Sequence, residues 1–244
     1  VHRQSGAKKT MGDFGAAMTT AIHLIFHMDH DLLEIILLSF RVSLGALTLS
    51  CLVGLPLGAA VAVLRFPGRT LVTAVLNAAM GLPPVVVGLA VYLMLSRSGP
   101  LGGWGLLFTP SAMVIAQWIL ITPIVAALTR QTVADLHQEY DEQLRSFGSG
   151  RLRTMLTLLW DGRFSLVTVM LAGFGRAVAE VGAVIIVGGN INHYTRVMTT
   201  TIALETSKGD LPLAIALGMI LLSLALGINL MAQLVRDAAF KRYA

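Results

Sequence analysis

Val133-Ala-Asp-Leu-His-Gln-Glu-Tyr140-Asp-Glu-Gln-Leu-Arg-Ser-Phe-Gly148-Ser-Gly-Arg151-Leu-Arg-Thr-Met-Leu-Thr-Leu-Leu-Trp160 is the stretch on which the fold turns. It is charged, yet it lies between two apolar runs, Ser98–Thr129 and Phe164–Val187. Val133, Leu136, Tyr140, Leu144 and Phe147 recur at spacings of three and four, which puts one apolar stripe on a helix. Asp135, Glu139, Asp141, Glu142 and Arg145 fall opposite it. Gly148-Ser149-Gly150 then stops the helix, because glycine accepts backbone angles that a helix does not. A second amphipathic stretch follows, with Leu152, Met155, Leu156 and Leu159 on one face and Arg151 and Arg153 beside it. The reading is a helix–glycine–helix elbow beneath a membrane. The plain alternative is a solvated loop followed by a snorkelling interface helix.

The membrane follows from the flanks. The chain has 244 residues, 55% hydrophobic and only 13% charged, about half the charge of a soluble domain. Its mean hydropathy is +0.76. Five runs are long enough, at about 20 residues each, to cross a ~30 Å core: 42–64, 71–95, 111–128, 164–187 and 211–235. Of these only 164–187 carries charge, Arg176 and Glu180. They must be helices, since backbone groups in lipid have no water to bond to, and no alternating pattern suggests a barrel. The expected fold is an all-α membrane protein of about five transmembrane helices. Its parts are an N-terminal tail (1–30), an amphipathic interfacial helix (31–41), a transmembrane domain (42–236) with a cytoplasmic loop at 129–163, and a tail (237–244). Asp13, His23, His27, Asp29, His30 and Asp31 break any signal-peptide core.

The basic residues set the orientation. Arg65, Arg69, Arg130, Arg145, Arg151, Arg153, Arg163, Arg236, Lys241 and Arg242 fall on one side, against Arg97, Arg196 and Lys208 on the other. The richer side is cytoplasmic, which puts the C-terminus inside and the N-terminus outside. Arg3, Lys8, Lys9 and Arg41 strain that assignment. The net charge of +5 is spread between apolar runs rather than gathered in a patch, which argues against nucleic acid. The lone Cys51 allows no intrachain disulfide.

The elbow resembles the cytoplasmic loop of permease subunits of type I ABC importers, whose pattern is E-A-A-x3-G-x9-I-x-L-P. Glu142 and Gly148 match its Glu and Gly; Gln143, Leu144, Leu158, Trp160 and Asp161 replace the other residues. Gly81–Tyr92 with Ser96–Gly102 resembles the second span of molybdate and tungstate permeases, Ala179–Ile191 the span after the coupling loop, and Thr195–Asp210 the tungstate branch. The resemblance covers about 40–235. It implies that the chain carries an oxyanion, tungstate ahead of molybdate or sulfate, across the cytoplasmic (inner) membrane. It further implies a homodimer with two ATP-binding cassette subunits and an extracytoplasmic anion-binding protein. The coupling residues would be Tyr140, Asp141, Glu142, Leu144, Arg145, Phe147, Gly148 and Arg151. No G-x-x-x-x-G-K-[ST] run and no nucleophile–base set is present. The chain is thus expected to be a transport subunit and not an enzyme, without a cofactor of its own, ATP and Mg being bound by the partner. A secondary transporter, the rival class, would show inverted repeats; none is evident.

Within the spans, Pro83 and Pro84 remove two backbone donors and free the carbonyls near Ala79 and Met80, making either a hinge or a static kink. Arg176 and Glu180, four apart, share a face. They are a structural pair or, alternatively, a gate on the pathway; the pair is preferred because a fixed strong anion site hinders release. Thr199, Thr200 and Thr201 offer uncharged hydroxyls to a passing anion, or else cap a helix. His23, His27 and His30 share a helical face beside Asp29 and Asp31, which reads as a polar interfacial face rather than a metal site.

Overall fold

The computed structural model describes residues 30–243. All regular structure among them is helical. Helix α1 (His30–Val63) runs unbroken for 34 residues, about 51 Å at the usual rise. This corrects the division into an interfacial helix at 31–41 and a span from Val42. Polarity changes near Arg41, but no cap or breaker lies there, so the backbone continues. Leu32, Ile35 and Ile36 pack on Met198, Ile202, Leu213 and Leu217.

The second apolar run is also not one straight span. Helices α2 (Arg69–Ala79) and α3 (Pro84–Leu95) meet at a 99° bend. Pro83 caps α3 and Pro84 stands in its first turn, where a missing N–H costs nothing. The Ala79 carbonyl takes the Leu82 N–H at 3.3 Å. The two prolines therefore start a new helix instead of kinking an old one. Arg69 turns back and donates to the carbonyls of Val61 and Ala62 at 2.8 and 2.7 Å, satisfying the end of α1.

After a turn of 3₁₀ helix at Gly102–Trp104, helix α4 (Pro110–Ser146) runs for 37 residues. It joins the third span and the first half of the elbow into one rod. Helix α5 (Arg151–Asp161) is the second half of the elbow. It meets α6 (Arg163–Val178) at a 76° bend. The fourth apolar run breaks at 179–181 before α7 (Gly182–Gly188). Helices α8 (Met198–Lys208) and α9 (Leu211–Tyr243) complete the order. Among the described residues three helices, α1, α4 and α9, are long and apolar enough to cross a membrane, or up to five spans if each bent pair is one.

Parallel α1 and α4 form the centre, Gly45 lying beside Val114, Gly54 beside Val125 and Gly58 beside Thr129. A Cβ on Gly58 would fall on the Ala126 carbonyl oxygen and 2.8 Å from Thr129 Cβ, and one on Gly54 would lie 2.9 Å from Val125 Cγ1. Gly54 and Gly58, four apart, thus let two backbones touch, as small residues do in membrane helices. One core layer joins Val42, Val91, Met113, Ala116, Ala183 and Val187. Another gathers Ala59, Ala62, Val63, Val133 and Leu158 at the opposite end of α1.

Candidate functional site

Two places concentrate polar chemistry: the break between α6 and α7, and the elbow. At the break a helix stops inside an apolar run, so its backbone groups need partners from elsewhere. Arg176 Nη1 pairs with Glu180 Oε2 at 2.6 Å, and Glu180 is only 3% exposed. Glu180 Oε1 also accepts the Ala183 N–H at 3.0 Å, capping α7. Gln117 Nε2 of α4 donates to the Ala177 carbonyl at 3.1 Å. Thr199 Oγ1 of α8 donates to the Glu180 carbonyl at 2.9 Å. Side chains from α4, α6 and α8, with Glu180 of the break itself, thereby hold an unwound turn. Beside it lies a small, partly open and mostly apolar cavity of about 20 Å³, whose polar lining is Ser39, Ser43, Gln117, Glu180 and Thr199. Gln117 Oε1 is buried there with no protein partner. The space admits about one water, the partner that such a carbonyl oxygen requires.

The three threonines expected near a pathway are all buried, and each hydroxyl bonds backbone. Thr199 buttresses the break. Thr200 Oγ1 accepts the Val197 N–H at 3.1 Å and Thr201 Oγ1 donates to the Val197 carbonyl at 2.8 Å. Thr200 thus caps the start of α8, while Thr201 bonds back onto Val197. Pro83 and Pro84 lie at the start of α3, which is packed against α7: a Cβ on Gly88 would lie 2.7 Å from Ala183 Cα. The 99° bend and the break are therefore brought to neighbouring elements.

At the elbow, α4 ends in a Schellman turn. Gly148 is left-handed (φ 63), and the Ser149 N–H reaches the Leu144 carbonyl at 3.1 Å, the hydrogen bond that closes such an end. Tyr140 and Leu144 pack on the Leu158 layer. Asp141 stands 4.0 Å from His137, and Glu142 is exposed. Arg145 belongs to the last turns of α4, and Arg151 is exposed at the start of α5. Two expectations change. Phe147 is 83% exposed rather than part of the buried stripe, because the helix ends beside it. On α5 the inward face is Thr154 and Leu158, while Leu152 and Leu156 point outward with Trp160. The stretch has two apolar stripes of the same period, and the Leu158 stripe took the core.

His23, His27 and Asp29 lie outside the described residues. His30, Asp31 and Glu34 bring ligand atoms within 4.8 Å of one another at the start of α1, largely exposed. Glu34 is engaged by His193 at 2.9 Å. That hydrogen bond, the largest cause, raises the His193 pKa with help from the Glu34 and Asp31 charges, against desolvation and the repulsion of Arg196.

Residues 54–241, which include both the break and the elbow, match the family model described as the binding-protein-dependent transport system inner membrane component. The chain belongs to that family. Among its relatives is a probable anion ABC transporter permease protein of Haloferax volcanii. It is 43% identical over 84% of this chain and 91% of its own. The tungstate uptake system permease protein TupB of Peptoclostridium acidaminophilum is 40% identical over 86% of this chain and 92% of its own. The sulfate transport system permease protein CysT of Escherichia coli is more distant, 29% identical over 66% of this chain and 61% of its own. The all-helical architecture agrees with the type I ABC permease fold.

Two features of this permease escaped sequence reasoning. Gln117 is the one side-chain amide in the span 111–128, and its role is read from the break at 179–181 that it holds. The pair Gly54 and Gly58 carried a readable signal, two small residues four apart in a charge-free run.

Proposed function

We propose that this chain is the permease subunit of an ATP-driven importer of an oxyanion, tungstate ahead of molybdate or sulfate. The observation that carries the substrate class is the likeness to a tungstate permease at 40% identity along nearly the whole of both chains. The likeness to the sulfate permease is lower and shorter. In this reading two copies form the pathway on their two-fold axis, two cassette ATPases bind ATP and Mg, and an external protein delivers the anion. The end rich in arginine, with the C-terminus, faces the cytoplasm, and the start of α1 faces outside.

The geometry supplies a mechanical route. The coupling residues Tyr140, Asp141, Glu142, Leu144, Arg145, Phe147, Gly148 and Arg151 dock on the ATPase. Force on them passes up α4, which is one rigid rod of 37 residues, and through α5 into α6 across the 76° bend. Both routes converge on the break, since Gln117 of α4 holds the carbonyl at the end of α6. A small rigid-body motion below thus reaches an unwound turn within the membrane. Arg176 and Glu180 hold that turn and, already paired, do not offer the anion a tight site. Pro83 and Pro84 serve this gate region by starting α3 against α7, and Thr199–Thr201 by tying the start of α8 to the break and to Val197.

The test is uptake into proteoliposomes holding permease, ATPase and binding protein, with tungsten counted by elemental mass spectrometry. ATP-dependent tungstate uptake, displaced by molybdate more readily than by sulfate, is expected. Equal displacement by sulfate would overturn the substrate order. Uptake driven by an ion gradient without ATP would establish the secondary-transporter alternative instead.

A further inference from the structure

Helix α5 shows two unlike faces. Thr154 and Leu158 are buried, Leu158 against Ala59, Ala62 and Val63 of α1 and Val133 of α4. On the opposite side Leu152, Leu156 and Trp160 are 69%, 61% and 69% exposed. Their spacing of four puts them on one stripe, with no polar residue between them along it. Leu158 sits at the level of the last turns of α1, still inside the charge-free run 42–64. The outward stripe of α5 is therefore near the depth at which the apolar slab ends, not in open water. The 76° bend takes α5 well off the axis of α6, the direction a helix needs to leave a span and follow its surface.

The charges around the stripe match an anionic leaflet. Arg151 and Arg153 are exposed, and Asp161 is the single acid of the helix. The Arg163 guanidinium lies 5.0 Å from the Trp160 ring and 4.6 Å from the Phe164 ring, and bonds the Trp160 carbonyl at 2.8 Å. An indole with a guanidinium stacked on it suits the headgroup boundary, where one end of the ring is apolar and the other wet. Helices with a Leu/Trp face and an Arg-rich flank bind there through apolar burial and attraction to anionic lipid.

We infer that α5 is an interfacial anchor, with Leu152, Leu156 and Trp160 buried in the cytoplasmic leaflet and Arg153 and Arg163 among anionic headgroups, while Arg151, at its start, stays on the ATPase side. The ATPase-coupling elbow then has one half on the ATPase side and one half fixed to the bilayer. The bilayer becomes the reference against which the end of α4 moves. This holds for any cargo and does not require the tungstate reading.

The experiment uses the full chain in vesicles of phosphatidylcholine with phosphatidylglycerol, alone and with its ATPase. Cys51 is replaced by Ser, and single spin labels are placed by L152C, L156C and W160C, with R153C as the flank. The stripe is exposed, so these changes leave the Leu158 layer intact, and three separate positions guard against one misfolded variant. Labels at 152, 156 and 160 are expected to be reached by oxygen and shielded from a water-soluble nickel chelate, at a depth of about 5–10 Å. The label at 153 is expected nearer water, and adding ATPase is expected to change none of them. Omitting phosphatidylglycerol is expected to make the stripe labels shallower. Nickel access at all three stripe positions overturns the proposal. So does shielding from both reagents that appears only with the ATPase, which assigns the stripe to that partner. Dipolar broadening between labels in the permease alone overturns it in favour of a second copy.

Discussion

Glu180 performs two tasks with one carboxylate. Oε2 holds Arg176, and Oε1 caps the Ala183 N–H of α7. The two can be separated by mutation. Arg176→Leu leaves a buried carboxylate without its counter-ion and is expected to cost roughly 3 kcal/mol or more. Adding Glu180→Gln keeps an oxygen for Ala183 while removing the charge, so the double variant is expected to be milder than Arg176→Leu alone. Thermal unfolding in detergent ranks them; a double variant that is worse would mean that the charge itself is required there. His193 gives a second prediction at this scale. Glu34 raises its pKa above the ordinary value of about 6.5. The ion pair therefore contributes fully below that ordinary value and fades as pH rises through the raised one. NMR titration of His193 is expected to show the raised value, and Glu34→Gln to return it toward the ordinary one. An unchanged titration in Glu34→Gln would remove Glu34 as the cause.

At the scale of elements, glycines separate crossing from turning. Gly58→Val drives a side chain onto the Ala126 carbonyl and Thr129. Backbone cannot yield there, so α1 and α4 must part, at a cost above about 3 kcal/mol. Gly227 of α9 has nothing within 4 Å of a Cβ, so Gly227→Ala is expected to be neutral or slightly stabilising. Yield of monodisperse protein on gel filtration checks both. Gly148 also has open space around it but is left-handed (φ 63). Gly148→Ala is expected to cost only about 1–2 kcal/mol and to leave the helices assembled, whereas Gly148→Pro cannot adopt that φ and must rebuild the elbow. If the elbow couples, ATP turnover stimulated by loaded binding protein falls in Gly148→Pro while the permease still folds. Unaltered stimulation would take the elbow out of the coupling route. These elements were unequally legible. Gly148 was readable because a glycine after a periodic helix is itself a stop signal. The continuity of α1 was not, because the change of polarity near Arg41 marks where water meets lipid, and a helix backbone is indifferent to that. The break at 179–181 was hidden because no proline marks it; it is made by partners distant in sequence, Gln117 and Thr199.

At the scale of the molecule, the helices bring the arginines to one end. Arg69 bonds the last carbonyls of α1, Gly58 meets the backbone of Arg130, and Arg236 Nη1 bonds Thr168 near the start of α6 at 3.0 Å. At the other end, His193 in the loop after α7 reaches Glu34 in the first turns of α1. The sequence divides these ends from charge alone, because apolar runs of a length set by the bilayer separate one basic cluster from the next. Of the residues that strain the orientation, Arg41 is exposed partway along the continuous helix α1, and Arg3, Lys8 and Lys9 lie outside the described residues. A labelling experiment follows from the two ends. With Cys51→Ser, a new cysteine at Ser149 lies in the elbow turn and one at Asn192 lies in the exposed loop beside His193. In intact cells a membrane-impermeant maleimide is expected to label Asn192→Cys at once and Ser149→Cys only after the membrane is opened. The positive-inside bias predicts this sign, and the structure requires that the two sites differ, because α4 and the α6–α7 run each separate one end from the other. Labelling of Ser149→Cys alone in intact cells would invert the orientation and place the elbow outside, away from any ATPase. Labelling of both from one side would mean that the helices do not cross as drawn, and the coupling route through α4 and α6 would fail with it.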